Sequence, residues 1–139
     1  MPEIEAYSLF CEDVRWEANG APMFLGMMSP VFHPTEYPAN LSKIVLATLF
    51  RSDCSKDKFL AELILEKISA SGAETLDSFD AEFERNEFDE GQFQWVAVST
   101  LPIENIEFEQ GNSLKATLKI ESNTWETYLT AGTTIQPDK

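Results

Sequence analysis

The chain has 139 residues, 43% of them apolar, and its 24 acidic and 10 basic side chains give a formal net charge of −14. This length suits a single folded domain over residues 1–139, and the apolar fraction excludes global disorder, which needs low hydrophobicity as well as high charge. The charge repels phosphate backbones and anionic bilayers, so we expect no direct binding to nucleic acid or membrane; it favours a basic protein surface or a divalent cation instead.

The first residues, the apolar runs and the cysteines indicate in which cellular compartment we expect the protein. The first ten residues, MPEIEAYSLF, carry acids where a secretory signal carries bases, and no later apolar run approaches the roughly 20 residues that span a bilayer. Two cysteines, Cys11 and Cys54, are too few for a disulfide scaffold. We therefore expect a cytoplasmic protein whose thiols pack as small hydrophobic groups.

The first 28 residues predict a β-hairpin. Residues 7 to 12 alternate with a period of two, which indicates a strand with one face inward and the other at least partly apolar. Asn19-Gly20 is a tight-turn signal, and residues 23 to 28 form the return strand. Because residues two apart share a strand face, Arg15 is expected to pair with Asp13 or Glu17. An ion pair is therefore favoured over an acid-base site here.

The middle of the chain predicts a change of sheet and two strands. Ser29–Pro38 contains three prolines, which indicate a loop or an edge crossing between sheets. Residues 43 to 51, KIVLATLFR, have the apolar, β-branched composition of a central strand. Residues 58 to 68 fit both helical and strand periodicity; their propensities favour a helix, whereas the strand-rich setting favours a strand, which we predict.

The segment from Glu74 to Glu90 is the most acidic part of the chain, with eight acids and one base, Arg85, and hence a net charge of −7. Apolar residues at 79, 81 and 83 alternate with acids, as in a half-buried strand, although a helix through Leu76, Phe79 and Phe83 is the alternative. On a strand, alternate acids lie about 6.6 Å apart on one face. The predicted binding surface comprises Asp77, Asp80, Glu82, Glu84, Glu87, Asp89 and Glu90. The competing interpretation is a solvated edge strand protected by its charges.

The C-terminal third predicts four more strands, over residues 92–99, 103–109, 114–121 and 124–130. The second and third flank the turn at residues 110–112, and as a hairpin they would oppose Glu107 and Glu109 to Lys115 and Lys119. About eight short strands at turn spacings near ten residues predict an all-β fold. The expected architecture is an antiparallel two-sheet β-sandwich, immunoglobulin-like or C2-like.

The opening residues FCEDVRWEANG, followed by MFLGMM, resemble the N-terminal signature of a family of small, uncharacterised bacterial and phage β-sandwich proteins. The matching positions are Phe10, Cys11, Asp13, Val14, Arg15, Glu17, Gly20 and Gly26. Ala21 departs from the signature, in which a lysine commonly follows the turn glycine. The resemblance covers about the first 50 residues and implies a sandwich fold and a microbial or phage origin. It implies no activity.

Well-marked catalytic and metal chemistries lack their residues. The single histidine, His33, lies in the proline segment, and no spacing couples it to Cys11 or Cys54 as a nucleophile and base. One histidine and two distant cysteines do not make a transition-metal site, and EF-hand, phosphate-loop and hydrolase motifs are absent. We predict no catalytic residue, no metal and no cofactor.

The primary prediction is a non-enzymatic protein-binding module whose acidic surface contacts a basic protein. A narrower form is a phage or microbial inhibitor that presents carboxylates in place of phosphates to a nucleic-acid-binding protein. One alternative is an enzyme or small-ligand-binding protein with a pocket lined by Trp16, His33, Glu36 and Tyr37. Another is a structural subunit of a phage particle or larger assembly, which would self-associate.

Overall fold

The computed structural model describes residues 3–18, 22–28, 30–53, 56–85 and 94–135, and for residues 94–96 the backbone alone. Within these ranges the chain is all β. The nine strands are β1 Ile4–Trp16, β2 Pro22–Met27, β3 Val31–Phe32, β4 Ala39–Asp53, β5 Lys58–Ser69, β6 Gly72–Glu84, β7 Gln94–Phe108, β8 Ser113–Ile120 and β9 Asn123–Ala131. The described ranges hold no helix of the length and apolarity that crossing a bilayer requires.

The strands form two sheets, which confirms the predicted β-sandwich. The first sheet has the order β2-β1-β4-β7 and the second the order β3-β9-β8-β5-β6. The described residues form nine strands rather than the predicted eight or so, and one pair, β3 with β9, is parallel. The proline segment makes the predicted change of sheet: β2 and β4 lie in the first sheet, and β3 between them joins the second.

Alternate side chains of both sheets meet in one core. Phe50 of β4 stacks on Phe83 of β6 with ring centroids 4.8 Å apart, and it lies 5.3 Å from Phe59 of β5. The predicted inward set of β8, at positions 114, 116, 118 and 120, is buried. Such alternation is what a sheet with one face on the core requires.

Residues 58 to 68 are a strand, as predicted. Phe59, Ala61, Leu63 and Leu65 are buried, whereas Leu60 is 69% exposed. β5 pairs with β6 on one side and with β8 on the other. Two-sided pairing in a sheet thus overrides the helical propensity of its alanine, leucine and glutamate residues.

The first hairpin is also confirmed, because β1 and β2 pair antiparallel from Cys11 opposite Met27 to Trp16 opposite Pro22. The predicted Asn19-Gly20 turn lies outside the described residues. At Gly26 the backbone has φ +64°, and the side chain of Glu12 lies against it at 2.7 Å from where a Cβ would stand. A glycine is favoured there by both conformation and space.

Two predictions on the C-terminal third are wrong. The two predicted strands, 92–99 and 103–109, are not separate: their residues 94–99 and 103–108 belong to one strand, β7, which runs through Pro102. Among the described strands β7 lies at the edge of its sheet and pairs only with β4, so it accommodates a proline that a central strand would not.

The predicted hairpin between residues 103–109 and 114–121 does not form, because β7 pairs with β4 and β8 belongs to the other sheet. Between β7 and β8 the chain passes from the first sheet to the second, and buried Asn112 lies in this turn. Its Oδ1 accepts a hydrogen bond from the Glu109 N–H at 3.0 Å. Lys115 consequently pairs with Glu126 of β9 at 3.5 Å, and Lys119 lies opposite Glu62.

Candidate functional site

The acidic segment forms β6, a 13-residue strand at the edge of the second sheet. Its inward residues 79, 81 and 83 pack on or next to the core, whereas Asp80, Glu82 and Glu84 are exposed on the outer face. The strand alternation therefore holds, and the helical alternative is wrong. In the described part of the chain, β5 is the only strand that pairs with β6.

A fourth carboxylate joins these three through the sheet register. Glu62 of β5 lies opposite Asp80 and is also exposed, while Leu60 and Lys58 lie opposite Glu82 and Glu84. We call Glu62, Asp80, Glu82 and Glu84 the acidic row. Lys58 forms an ion pair with Glu82. Lys119 of β8 lies opposite Glu62 on its other side. Four carboxylates against these two lysines leave the row negative.

Arg85, the one basic residue of the acidic segment, does not neutralise the acidic row. The Arg85 guanidinium lies 2.7 Å from the carboxylate of Asp57, which precedes β5. Glu62 was missed by the sequence reasoning because its nearness to Asp80 depends on the pairing of β5 with β6. Knowing that residues 58 to 68 are a strand puts Glu62 on the polar face but does not name its neighbour.

Asp77 lies apart from the acidic row. Strand alternation puts Asp77 on the other side from Asp80, Glu82 and Glu84, opposite buried Leu65, and the register shifts just beyond this pair, between Leu65 and Glu66. Its Oδ1 accepts a hydrogen bond from the Ser78 N–H at 2.9 Å. Asp77 borders an open cleft of about 280 Å³ whose other lining residues are Leu65, Leu76, Leu101, Pro102, Ile103 and Ile106. Glu87, Asp89 and Glu90 lie outside the described residues.

The four residues predicted to line one pocket do not meet: His33 and Tyr37 lie together, apart from Glu36 and Trp16. His33 Nδ1 lies 2.8 Å from the carbonyl oxygen of Thr133, and the Tyr37 hydroxyl donates to the carbonyl of Gly132. Burial, with the nearby charge of Glu109, raises the pKa of the Tyr37 hydroxyl. The structure thus brings His33 and Tyr37 together, where they hold the segment after β9.

Glu36 lines a different feature, an open groove of about 330 Å³ bordered by Phe32, Pro34, Thr35, Pro38, Ala39, Asn40 and Leu41. Trp16, His33 and Tyr37 are not among those residues. Trp16 stands at the end of β1 opposite Pro22 and is 55% exposed. No three His, Cys, Asp or Glu residues of the described ranges gather in a way that would hold a metal ion.

Cys11 is a buried thiol. It is 0% exposed and donates to the carbonyl of Val45 at 3.7 Å. Burial raises the pKa of the Cys11 thiol, with the charge of Asp13 adding to the effect, so the neutral form is favoured. This environment agrees with the structural role predicted from the sequence and disfavours a nucleophile.

The charges beside Cys11 also take structural positions. Arg15 Nε lies 3.5 Å from Asp13 Oδ2, which confirms the predicted pairing, and Lys43 Nζ approaches Asp13 Oδ1 at 3.7 Å. The Val14 N–H donates to Asp13, and this bond, helped by the two cations, lowers the pKa of the Asp13 carboxyl. Asp13 is therefore held ionised on the outer face of the first sheet.

Compared with known proteins, the chain matches no family model and no curated protein sequence. The resemblance of its first 50 residues or so to the bacterial and phage family stays a prediction.

Proposed function

We propose that this protein is a non-enzymatic binding module that contacts a basic protein surface through the acidic row. The observation that carries the proposal is the placement of Asp80, Glu82 and Glu84 on the exposed face of an edge strand, with Glu62 beside them. A fixed sheet spaces the carboxylates at about 6.6 Å along the strand, so the row offers a preorganised line of negative charge.

Such a line suits a partner that normally binds phosphates. Complementary charge speeds encounter and makes it sensitive to salt, and like charge excludes other acidic surfaces. The narrower form of the proposal is a phage or microbial inhibitor that occupies the basic groove of a nucleic-acid-binding protein. The net charge of −14 adds a long-range attraction toward such a groove.

The edge position supplies a second means of binding. An extended segment of a partner can add to a sheet edge through main-chain hydrogen bonds, while side chains along the edge choose the partner. Strand β6 offers 13 residues for this purpose, and its carboxylates select a basic segment. The same charges would deter pairing if the edge served no partner, so neutralising them separates the two interpretations.

The test compares two triple variants with equal charge change. The first is Asp80→Asn, Glu82→Gln and Glu84→Gln; the control is Glu104→Gln, Glu107→Gln and Glu109→Gln, three exposed acids at or just after the end of β7. Proteins captured from a microbial lysate at about 20 and 150 mM salt are identified, and the affinity of a purified basic partner is measured by calorimetry.

The row variant is expected to lose about tenfold or more in affinity, with a shallower salt dependence, while the control variant retains binding. Equal losses in both variants would show that only net charge matters. Capture that is unchanged in both would leave the row as a solvated edge and would overturn the proposal.

A further inference from the structure

The outer face of the first sheet carries a continuous apolar surface. The register places Leu9 beside Ala47, Cys11 between Met27 and Val45, and Ala47 beside Thr100. We call this surface the apolar band. Its members are Tyr7, Leu9, Cys11, Leu25, Met27, Val45, Ala47, Leu49, Val98, Thr100 and Pro102, none of them charged.

The band faces away from the core. Its strand neighbours Phe10, Leu46 and Phe50 belong to the core cluster, whereas Cys11, Val45 and Ala47 do not. Tyr7 and Met27 are 58% and 66% exposed, and the small residues Cys11 and Ala47 are fully buried. Large apolar groups are thus presented to water on a sheet face, a feature that marks interaction sites on soluble proteins.

Ion pairs close both ends of the band. Glu5 and Arg51 pair at one end, and Asp13 pairs with Arg15 and Lys43 at the other. The register also places Glu104 opposite Lys43 at this second end, so three cations and three anions give these end groups no net charge, in a chain whose total is −14. The band and its ends are therefore far less negative than the chain as a whole.

We propose that the apolar band is the docking surface for a second copy of this chain. Two molecules of charge −14 repel each other, and they approach at least cost through a face whose acids are matched by cations. Partners with strongly basic surfaces would be drawn to the acidic row instead. Charge therefore assigns the two faces to different occupants.

The dimensions fit a small homodimer. With its ion-paired ends, the face takes in about ten residues of each of β1, β4 and β7 and the six of β2, at strand spacings of about 4.8 Å, or about 550 Å² in projection. A standard interface buries about 800 Å² of accessible surface per partner and weaker contacts bury less, so a face of this size suits a weak homodimer. Sheets stack face to face at about 10 Å, and a two-fold axis pairs the same surface with itself.

An antiparallel arrangement of the two sheets also satisfies the end charges. It places the Arg15 and Lys43 end of one copy over the Glu5 end of the other. The acidic rows of the two copies then lie on the outward faces of the dimer. Two rows on one particle would bind a repetitive basic partner with higher avidity than one.

Sedimentation velocity over a concentration series tests the proposal with a matched pair of variants. Met27→Lys places a cation in the band, and Leu60→Lys places one on the outer face of the second sheet, where Leu60 is 69% exposed against 66% for Met27. We expect the native chain to reach twice its 15.7 kDa mass, with the dissociation constant raised at least about tenfold by Met27→Lys and unchanged by Leu60→Lys. Tyr7→Lys is a second band variant if Met27→Lys fails to fold.

Salt adds an independent readout. Screening reduces the repulsion between copies and leaves the apolar contact intact, so self-association tightens as salt rises, whereas binding through the acidic row weakens. A native chain that stays monomeric at millimolar concentration, or equal effects of Met27→Lys and Leu60→Lys, would overturn the proposal. Neither result bears on the acidic row, which the triple variants test separately.

Discussion

The two sheets share one core, but their outer faces differ. Outward residues of the second sheet include Lys58, Glu62, Glu66, Asp80, Glu82, Glu84, Lys115, Lys119 and Glu126. The apolar band of the first sheet contains no charge between its ion-paired ends. The acidic character of the chain is therefore unevenly placed. The outer face of the second sheet suits the basic partner that we propose. The outer face of the first sheet suits the proposed contact between two copies of the chain, whose overall charges repel each other.

The largest expected effect on stability comes from a substitution in the core that supports both outer faces. Phe50→Ala removes the ring that joins β4 to Phe59 and Phe83, and we expect a loss of about 3–5 kcal/mol in the free energy of unfolding. Leu60→Ala, at an exposed outer position, should change it by no more than about 0.5 kcal/mol. Urea unfolding measures both. Similar losses for the two variants would contradict the assigned core.

The centre of the apolar band should be chemically inert. In a Cys54→Ser background, Cys11 is expected to react with a thiol reagent at pH 8 at least about a hundredfold more slowly than in urea, because the thiolate is disfavoured and the group is buried. Reaction kinetics followed by absorbance give the ratio. Rapid labelling of the folded chain would show that the middle of this face is open.

The ionised end of the band predicts a pH dependence. The pKa of Asp13 is lowered in the folded state, so its stabilising contribution is present above the unfolded value, about 3.9, and is lost as pH falls through the lower folded value. The difference in unfolding free energy between the native chain and Asp13→Asn should shrink over that acidic window. A difference that stays constant from pH 6 to pH 2 would contradict the assigned contacts.

The smallest expected effect concerns Lys58, which forms an ion pair with Glu82 of the acidic row. Lys58→Met removes the ion pair with Glu82, and because exposed pairs contribute little we expect a stability change below about 1 kcal/mol. Without the Lys58 cation, the acidic row should bind a basic protein about two- to fivefold more tightly at low salt. Calorimetry on the captured partner measures the gain, and weaker binding would show that Lys58 itself belongs to the contact.

Local sequence patterns predicted most of the strands. The features that they missed depend on which strands pair with each other. Alternation over residues 79–84 and 114–120 identified inward and outward positions because it depends only on the two-residue period, whereas over residues 7–12 it identified the strand but not which face lies inward. The merging of two predicted strands into β7 and the sheet to which β8 belongs depend on distant partners. Neither leaves a local mark in the sequence.

The candidate surfaces show the same limit. Asp80, Glu82 and Glu84 were placed together by spacing alone, whereas Glu62 joined them through the register of β5. Residues 43 to 51 indicated a central strand, an assignment the structure confirms, but such an apolar run does not show that one face lies toward solvent. The apolar band emerges only when β1, β2 and β4 are aligned side by side.

The most direct test of the two-face account is methyl NMR of the chain labelled at its methionines. Met27 and Met23 are exposed on the outer face of the first sheet, whereas neighbouring Met28 packs against the core. On raising the protein concentration, we predict that the Met27 and Met23 methyl resonances shift while that of Met28 stays fixed. Resonances that are all independent of concentration, or that shift together with Met28, would contradict a contact between copies through this face.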